Sequence, residues 1–155
     1  MAENAEAEFR TWLNRSGVAY ISIKQAPVVA PGFLHGRITH PDYLVGVPHS
    51  GILAFAVKPA EIHDGHLIFE KDNIEKLSRF ASLFKLTAYF ACVDPGRDGH
   101  LWWVPMLDLL SGELEWRAER EVVTANLSKA YAIDTGQVSF LDAVLHYSSH
   151  VLESA

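Results

Sequence analysis

Hydrophobic residues recur at helical spacing in three parts of the chain. In the first part they mark one face up to a stop signal at Ser16-Gly17, which predicts a helix over residues 2–16. A similar apolar stripe predicts a second helix over residues 70–86. A capping signal at Ser139 begins a third predicted helix, which runs to about residue 152.

Runs rich in β-branched and aromatic residues predict strands between these helices, at residues 18–23, 41–47, 52–58, 87–93 and 101–104. The runs 52–58 and 87–93 are almost wholly apolar, which indicates strands buried on both faces of a sheet. A helix joins these two strands, so we expect them to be parallel. The region 114–124 predicts a strand pair or a hairpin. The order of elements predicts one α/β domain over residues 1–155, with a central mixed sheet flanked by helices.

Composition supports this interpretation and excludes several classes of protein. A chain of 155 residues can bury one core, and 21% charged residues excludes wholesale disorder. There is no apolar run of the roughly 18 residues that a membrane helix needs, and the acidic first ten residues do not resemble a secretory signal. Cys92 is the only cysteine, which excludes a disulfide or a cysteine zinc site within one chain. We therefore expect a cytoplasmic protein.

The formal charge of -6 is unevenly distributed. Positions 15–85 carry eight basic and six acidic residues, whereas positions 86–155 carry four and ten. Because basic charge supplies most of the affinity for phosphate backbones, only the first half favours contact with nucleic acid. A basic face there would draw on Lys24, Arg37, Lys58 and Lys71.

The candidate chemistry lies between Pro41 and Lys58. Asp42 opens one predicted strand, and Lys58 ends the next, 16 residues later. Two adjacent strands would bring the two side chains close together. A carboxylate can hold a hard divalent cation, and a nearby lysine can orient a water and stabilise charge that develops on a phosphate. This combination suits metal-assisted phosphodiester hydrolysis.

This pattern resembles the PD-(D/E)XK nuclease superfamily, and within it the archaeal Holliday-junction resolvases. Pro41-Asp42 is similar to the PD element, and Ala56-Val57-Lys58 stands where the (D/E)-X-K element belongs. The helix that contains Asn73 and the strand after it also resemble the family, so the likeness covers roughly residues 5–110. The resemblance implies a restriction-endonuclease-like fold and a DNA substrate, branched or nicked.

The resemblance also implies roles for individual residues. Mg²⁺ or Mn²⁺ would be held by Asp42, by Glu8 of the first helix and by the backbone carbonyl of Val57. Lys58 would position the attacking water, and Asn73 would contact the substrate or a neighbouring ligand. Ala56 replaces the second carboxylate of the family, which predicts weakened metal binding. Glu70, at the start of the second helix, is the best candidate for a relocated carboxylate.

Other interpretations remain open. The chain could be an inactive pseudo-nuclease scaffold that binds DNA, a protein partner or a second copy of itself as a homodimer. It could also be a plain α/β domain in which Asp42 only begins a strand and is no spatial neighbour of Lys58. Trp102 and Trp103 are adjacent on a predicted strand and face opposite sides, so one of them could anchor a partner.

Overall fold

A computed structural model describes residues 2–23 and 29–154, with side chains at 3–23 and 29–147. The helices are α1 (Ala2–Ser16), α2 (Lys71–Phe84), α3 (Met106–Leu110) and α4 (Phe140–Ser154). The strands are β1 (Tyr20–Ser22), β2 (Tyr43–Val47), β3 (Gly51–Pro59), β4 (Ile62–His63), β5 (His66–Glu70), β6 (Thr87–Val93), β7 (His100–Pro105), β8 (Leu114–Arg117), β9 (Arg120–Asn126) and β10 (Tyr131–Asp134). Lys24 lies outside the described residues.

The central sheet has six strands in the order β1-β2-β3-β6-β7-β10. β3 and β6 pair in parallel, with Phe55 opposite Tyr89, and the other neighbours pair antiparallel. The parallel pair is joined through α2, as a parallel connection requires a crossover. This arrangement confirms the predicted α/β fold class, with a central mixed sheet flanked by helices.

One face of the central sheet is covered by α1 and α4. The core on this face is dominated by aromatic rings, and Trp103 of β7 lies at its centre, with an exposed fraction of 1%. Its ring packs against six others, from Trp12, Phe55, Tyr89, Tyr131, Phe140 and Tyr147. Because successive strand residues face opposite sides, Trp102 turns to the other core, where it is half-buried.

The other face is covered by α2, α3 and a second sheet of four strands, in the order β4-β5-β9-β8. The hairpin of β8 and β9 confirms the strand pair predicted over residues 114–124. The hairpin of β4 and β5 was not predicted. Its turn has Asp64 and Gly65 in the left-handed region, and its apolar residues 67–69 run directly into α2.

The ends of several elements differ from the predicted ones. β2 begins at Tyr43, so Asp42 lies just before the strand, and Pro41 has no N–H with which to extend the ladder. β1 is shorter than the predicted run 18–23. Within the described part of the chain, no helix is long and apolar enough to cross a membrane.

Candidate functional site

Asp42 is fixed against the edge of β3. Its backbone N–H donates to the carbonyl of Phe55 (2.8 Å), and its carboxylate Oδ2 accepts from the N–H of Val57 (2.7 Å). These two bonds bracket Ala56. Because the N–H and C=O of a strand residue point to the same side, the Val57 carbonyl also lies on the Asp42 side of β3. Asp42 therefore lies directly beside the Ala56-Val57 segment of β3.

The environment of Asp42 disfavours its charged form. Burial raises the pKa of Asp42 above its usual value near 3.8, and the negative charge of Glu6 raises it further. The Val57 N–H and the nearby His40 act in the opposite direction on this pKa, without cancelling the increase. A partly buried carboxylate whose charged form is disfavoured by the fold is typical of a functional position.

Asp42→Asn is expected to increase stability at neutral pH. Asparagine keeps an acceptor for the Val57 N–H but carries no charge. Since the pKa of Asp42 is raised on folding, its stabilising effect is complete below its unfolded pKa and is lost as pH rises through its folded pKa. The variant should therefore match wild type near pH 3, exceed it by a margin that grows as pH rises through the raised pKa of Asp42, and keep that margin up to pH 7. Urea unfolding of both proteins across this range measures the difference, and a constant difference would contradict this explanation.

Among the acids of α1, Glu6 is the one whose charge acts on Asp42, and it was not among the ligands predicted from the sequence. Its charge acts on Asp42, and also on Arg10 one turn further along α1. The Arg10 guanidinium in turn donates to the hydroxyl of Tyr43 (2.9 Å). Glu6 and Arg10 of α1 thus lie close to the start of β2, at Asp42 and Tyr43. Glu6 and Glu8 flank the same buried stripe of α1, so helical periodicity alone did not distinguish them.

Glu8, the predicted ligand, has a different partner. Its carboxylate accepts from the backbone N–H of Gly99 (3.0 Å), in the turn between β6 and β7. It lines a cleft there together with Asp94 and Asp98. Glu8 is therefore bonded to this turn, and Glu6 is the acid on α1 whose charge acts on Asp42.

Lys58 connects the two sheets. Its ammonium donates to the carbonyl of Ile68 in β5 (2.8 Å) and lies 4.7 Å from the centre of the Phe69 ring. The Asp42 carboxylate accepts from the N–H of Val57, the residue just before Lys58 in β3. The two candidate residues therefore meet β3 at neighbouring positions. The ammonium itself is engaged by β5.

Lys58→Met should lower the free energy of unfolding by about 1–2 kcal/mol, because it removes a charge-assisted hydrogen bond and a cation–π contact. Lys71→Met is the matched control, since its ammonium forms only partly exposed ion pairs with Glu75 and Glu121. The control should change stability by less than about 0.5 kcal/mol. Chemical denaturation measures both, and equal effects would contradict the role of Lys58 between the sheets.

Glu70 and Asn73 do not join Asp42 in any contact that the structure records. The Glu70 carboxylate accepts from Arg120 of β9, and the same guanidinium donates to both oxygens of Glu61 (3.0 and 2.8 Å). Glu70 is thus held in an ion-pair cluster, in which its charge is compensated. Asn73 lies exposed in the first turn of α2.

The residues present do not form a complete metal site. Among residues 2–23 and 29–154, no three acids, histidines or cysteines come together in a way that could hold a metal ion. Asp42 and the Val57 carbonyl supply oxygen groups on one side of β3, and Ala56 contributes only a methyl group. Mg²⁺ and Mn²⁺ favour several oxygen ligands, so these two groups alone fill only part of the coordination of either ion.

Comparison with known proteins identifies the fold. No protein-family model matches the sequence, and no curated protein matches it. Among solved structures, the chain is similar to Hjc, a Holliday junction resolvase from the archaeal hyperthermophile Archaeoglobus fulgidus, with 25% identity and a TM-score of 0.54 over 81% of this chain and 88% of that one. The chain has the fold of a Holliday junction resolvase.

A second, weaker likeness is to a nuclease from a fusselovirus, with 9% identity and a TM-score of 0.44 over 92% of this chain and 88% of that one. The resolvase-like fold supports a nuclease-like function for the chain.

Proposed function

We propose that this resolvase-like chain is a DNA-binding protein of the PD-(D/E)XK superfamily whose metal site is degenerate, so that it binds branched DNA and does not cleave it efficiently. The observation that supports the proposal most strongly is the pair of bonds from Asp42 that bracket Ala56. They put the remaining carboxylate beside the position where the second one is missing.

The other polar groups support the same conclusion. Glu70 is paired with Arg120, so it is not free to replace the missing carboxylate, and the Lys58 ammonium is already bonded to the Ile68 carbonyl. We propose that Asp42 and Lys58 are retained from a cleaving ancestor. Asn73, which is exposed on α2, contacts DNA in this proposal.

The experiment is a binding titration followed by fluorescence anisotropy. A labelled four-way junction and a linear duplex of the same arm sequence are each titrated in EDTA at fixed salt, because affinities for DNA depend on salt concentration. The proposal predicts tighter binding of the junction. Equal and weak binding of both DNAs would contradict it.

A second candidate is a working but rearranged metal site. The effect of the Glu6 charge on Asp42 favours it, because two carboxylates and the Val57 carbonyl could then face one Mg²⁺ or Mn²⁺. Metal affinity decides between the two candidates, because only the second predicts saturable Mn²⁺ binding that depends on Asp42.

We further propose that the protein acts in the cytoplasm. We also propose that it forms a homodimer, since a four-way junction offers two symmetric faces. Exposed large apolar side chains on the contacting helices α2 and α3 support a self-association surface, namely Leu83, Phe84, Leu107 and Leu110. Light scattering at micromolar concentration measures the mass in solution, and a monomer would contradict this part of the proposal.

A further inference from the structure

Residues 29–40, called here the 29–40 loop, lie directly before Pro41 and Asp42. They contain a short 3-10 turn at Gly32–Leu34. Backbone bonds close successive turns, from Leu34 to Pro31, from His35 to Gly32 and from Arg37 to Leu34. Gly36 has φ 74°, a left-handed conformation that favours glycine. The shape of the loop is thus set by its own backbone.

The loop is also tied to α2. The N–H of Thr39 donates to the carbonyl of Lys76 (3.3 Å), and the Arg79 guanidinium donates to the carbonyl of Arg37 (2.8 Å). These contacts bring three cations, Arg37, Lys76 and Arg79, to one surface. Lys76 and Arg79 also pair with Asp72 and Glu75, while Arg37 is exposed. The surface is net positive on a chain whose formal charge is -6.

A small cavity lies within the loop. Its volume is about 280 Å³, and its lining includes His35, Ile38, Thr39 and His40. This is below the usual range of drug-sized pockets, roughly 300–1,000 Å³, and is the size of a single flat ring system. The cavity ends at His40, two residues before Asp42.

His40 gives the cavity a polar wall. Its Nδ1 lies 2.7 Å from the carbonyl oxygen of Pro41. Because a carbonyl oxygen can only accept, this geometry assigns the proton to Nδ1 and leaves Nε2 of the neutral ring as an acceptor. An exocyclic amino group of a nucleobase is a suitable donor for it.

An exposed aromatic ring lies next to the cavity along the chain. Phe33 precedes the cavity residue Leu34 and is 73% exposed. Because most of the Phe33 ring is exposed, burial in the core does not explain its position. Aromatic side chains combined with cations are typical of surfaces that bind single-stranded nucleic acid, since every base has a face that can stack.

We infer that the 29–40 loop binds unpaired nucleotides of DNA beside Asp42: one base enters the cavity at His40, and its neighbour stacks on Phe33. Arg37, Lys76 and Arg79 hold the backbone phosphates. This inference rests on the proposed function and specifies it, because it makes unpaired bases at a branch or bubble, rather than the duplex arms, the feature that is recognised.

The test compares Phe33→Ala with wild type on two DNAs of equal length and ends, a perfect duplex and the same duplex with a central bubble that carries 2-aminopurine. Loss of one stacked base should weaken bubble binding by roughly 5- to 150-fold and leave duplex binding unchanged. The 2-aminopurine fluorescence should change on binding to wild type and change less with the variant.

Trp116→Ala is the matched control. Trp116 is 72% exposed, on the β8–β9 hairpin, so its removal deletes an equally exposed aromatic ring elsewhere. It should affect neither DNA. Arg37→Gln should weaken binding to both DNAs alike and reduce the salt dependence, as loss of a phosphate contact does.

The outcomes separate the inference from the proposed function. If wild type binds no DNA, the proposed function is wrong, and this inference fails with it. If wild type binds DNA but Phe33→Ala weakens duplex and bubble equally, or weakens neither, the inference alone is overturned.

Discussion

Ala56→Glu is expected to give the protein Mn²⁺-dependent cleavage of branched DNA at a rate at least about a hundredfold above wild type. The substitution returns a carboxylate to the position that the Asp42 hydrogen bonds bracket. Ala56 is half-buried at the margin of the core that α2 and the second sheet cover, so part of its surface is open to solvent. A bound divalent cation contributes several kcal/mol to phosphoryl chemistry, and each 1.4 kcal/mol is a factor of ten in rate.

The control for this substitution is Ala56→Gln, because glutamine has the same shape as glutamate but carries no charge. Both variants should fold alike by circular dichroism, and only the glutamate should produce cleavage of a labelled junction on a denaturing gel. Adding Asp42→Asn to Ala56→Glu should abolish the gained activity. Cleavage by the glutamine variant, or equal activity with and without Asp42, would show that the chemistry does not depend on this site.

Trp103→Ala should lower the free energy of unfolding by about 3–5 kcal/mol, the range for truncation of a large buried aromatic side chain. Trp103 is 1% exposed and packs against rings from α1, α4 and three strands of the central sheet. Its loss leaves a cavity at the point where both helices meet the sheet. This is a large share of the roughly 5–15 kcal/mol that stabilises a typical domain.

Trp102→Ala is the adjacent control for Trp103→Ala. Trp102 faces the other core and is only half-buried, so we expect a loss near about 1 kcal/mol. Urea unfolding of both variants measures the difference. Equal losses for the two tryptophans would contradict the assignment of Trp103 to the centre of the α1–α4 core.

The sequence predicted the central elements of the fold well because their patterns are long and regular. The helix at residues 2–16 and the buried strands of β3 and β6 all have strong local signals. The β4–β5 hairpin was missed because its apolar residues 67–69 run straight into α2 without a break. β10 was not predicted because it is short and only partly buried, so its residues form no clear alternation of apolar and polar positions.

The site was predictable only in part. Pro41-Asp42 and the β3 run gave the position of Asp42, since the pairing of neighbouring strands follows from the fold. The choice between Glu6 and Glu8 depends on how α1 is rotated against β2, which packing decides. The partner of Glu70 is Arg120, which lies 50 residues away in the chain, so no local pattern indicated that pairing.

The most direct test of the degenerate site is a calorimetric titration of the wild-type protein with Mn²⁺, carried into the millimolar range, beside Asp42→Asn. It requires no knowledge of the DNA substrate. The incomplete ligand set predicts no saturable heat that depends on Asp42. Saturable binding that disappears in Asp42→Asn would contradict the proposal and would establish that a working site has formed around Asp42 and Glu6 despite Ala56.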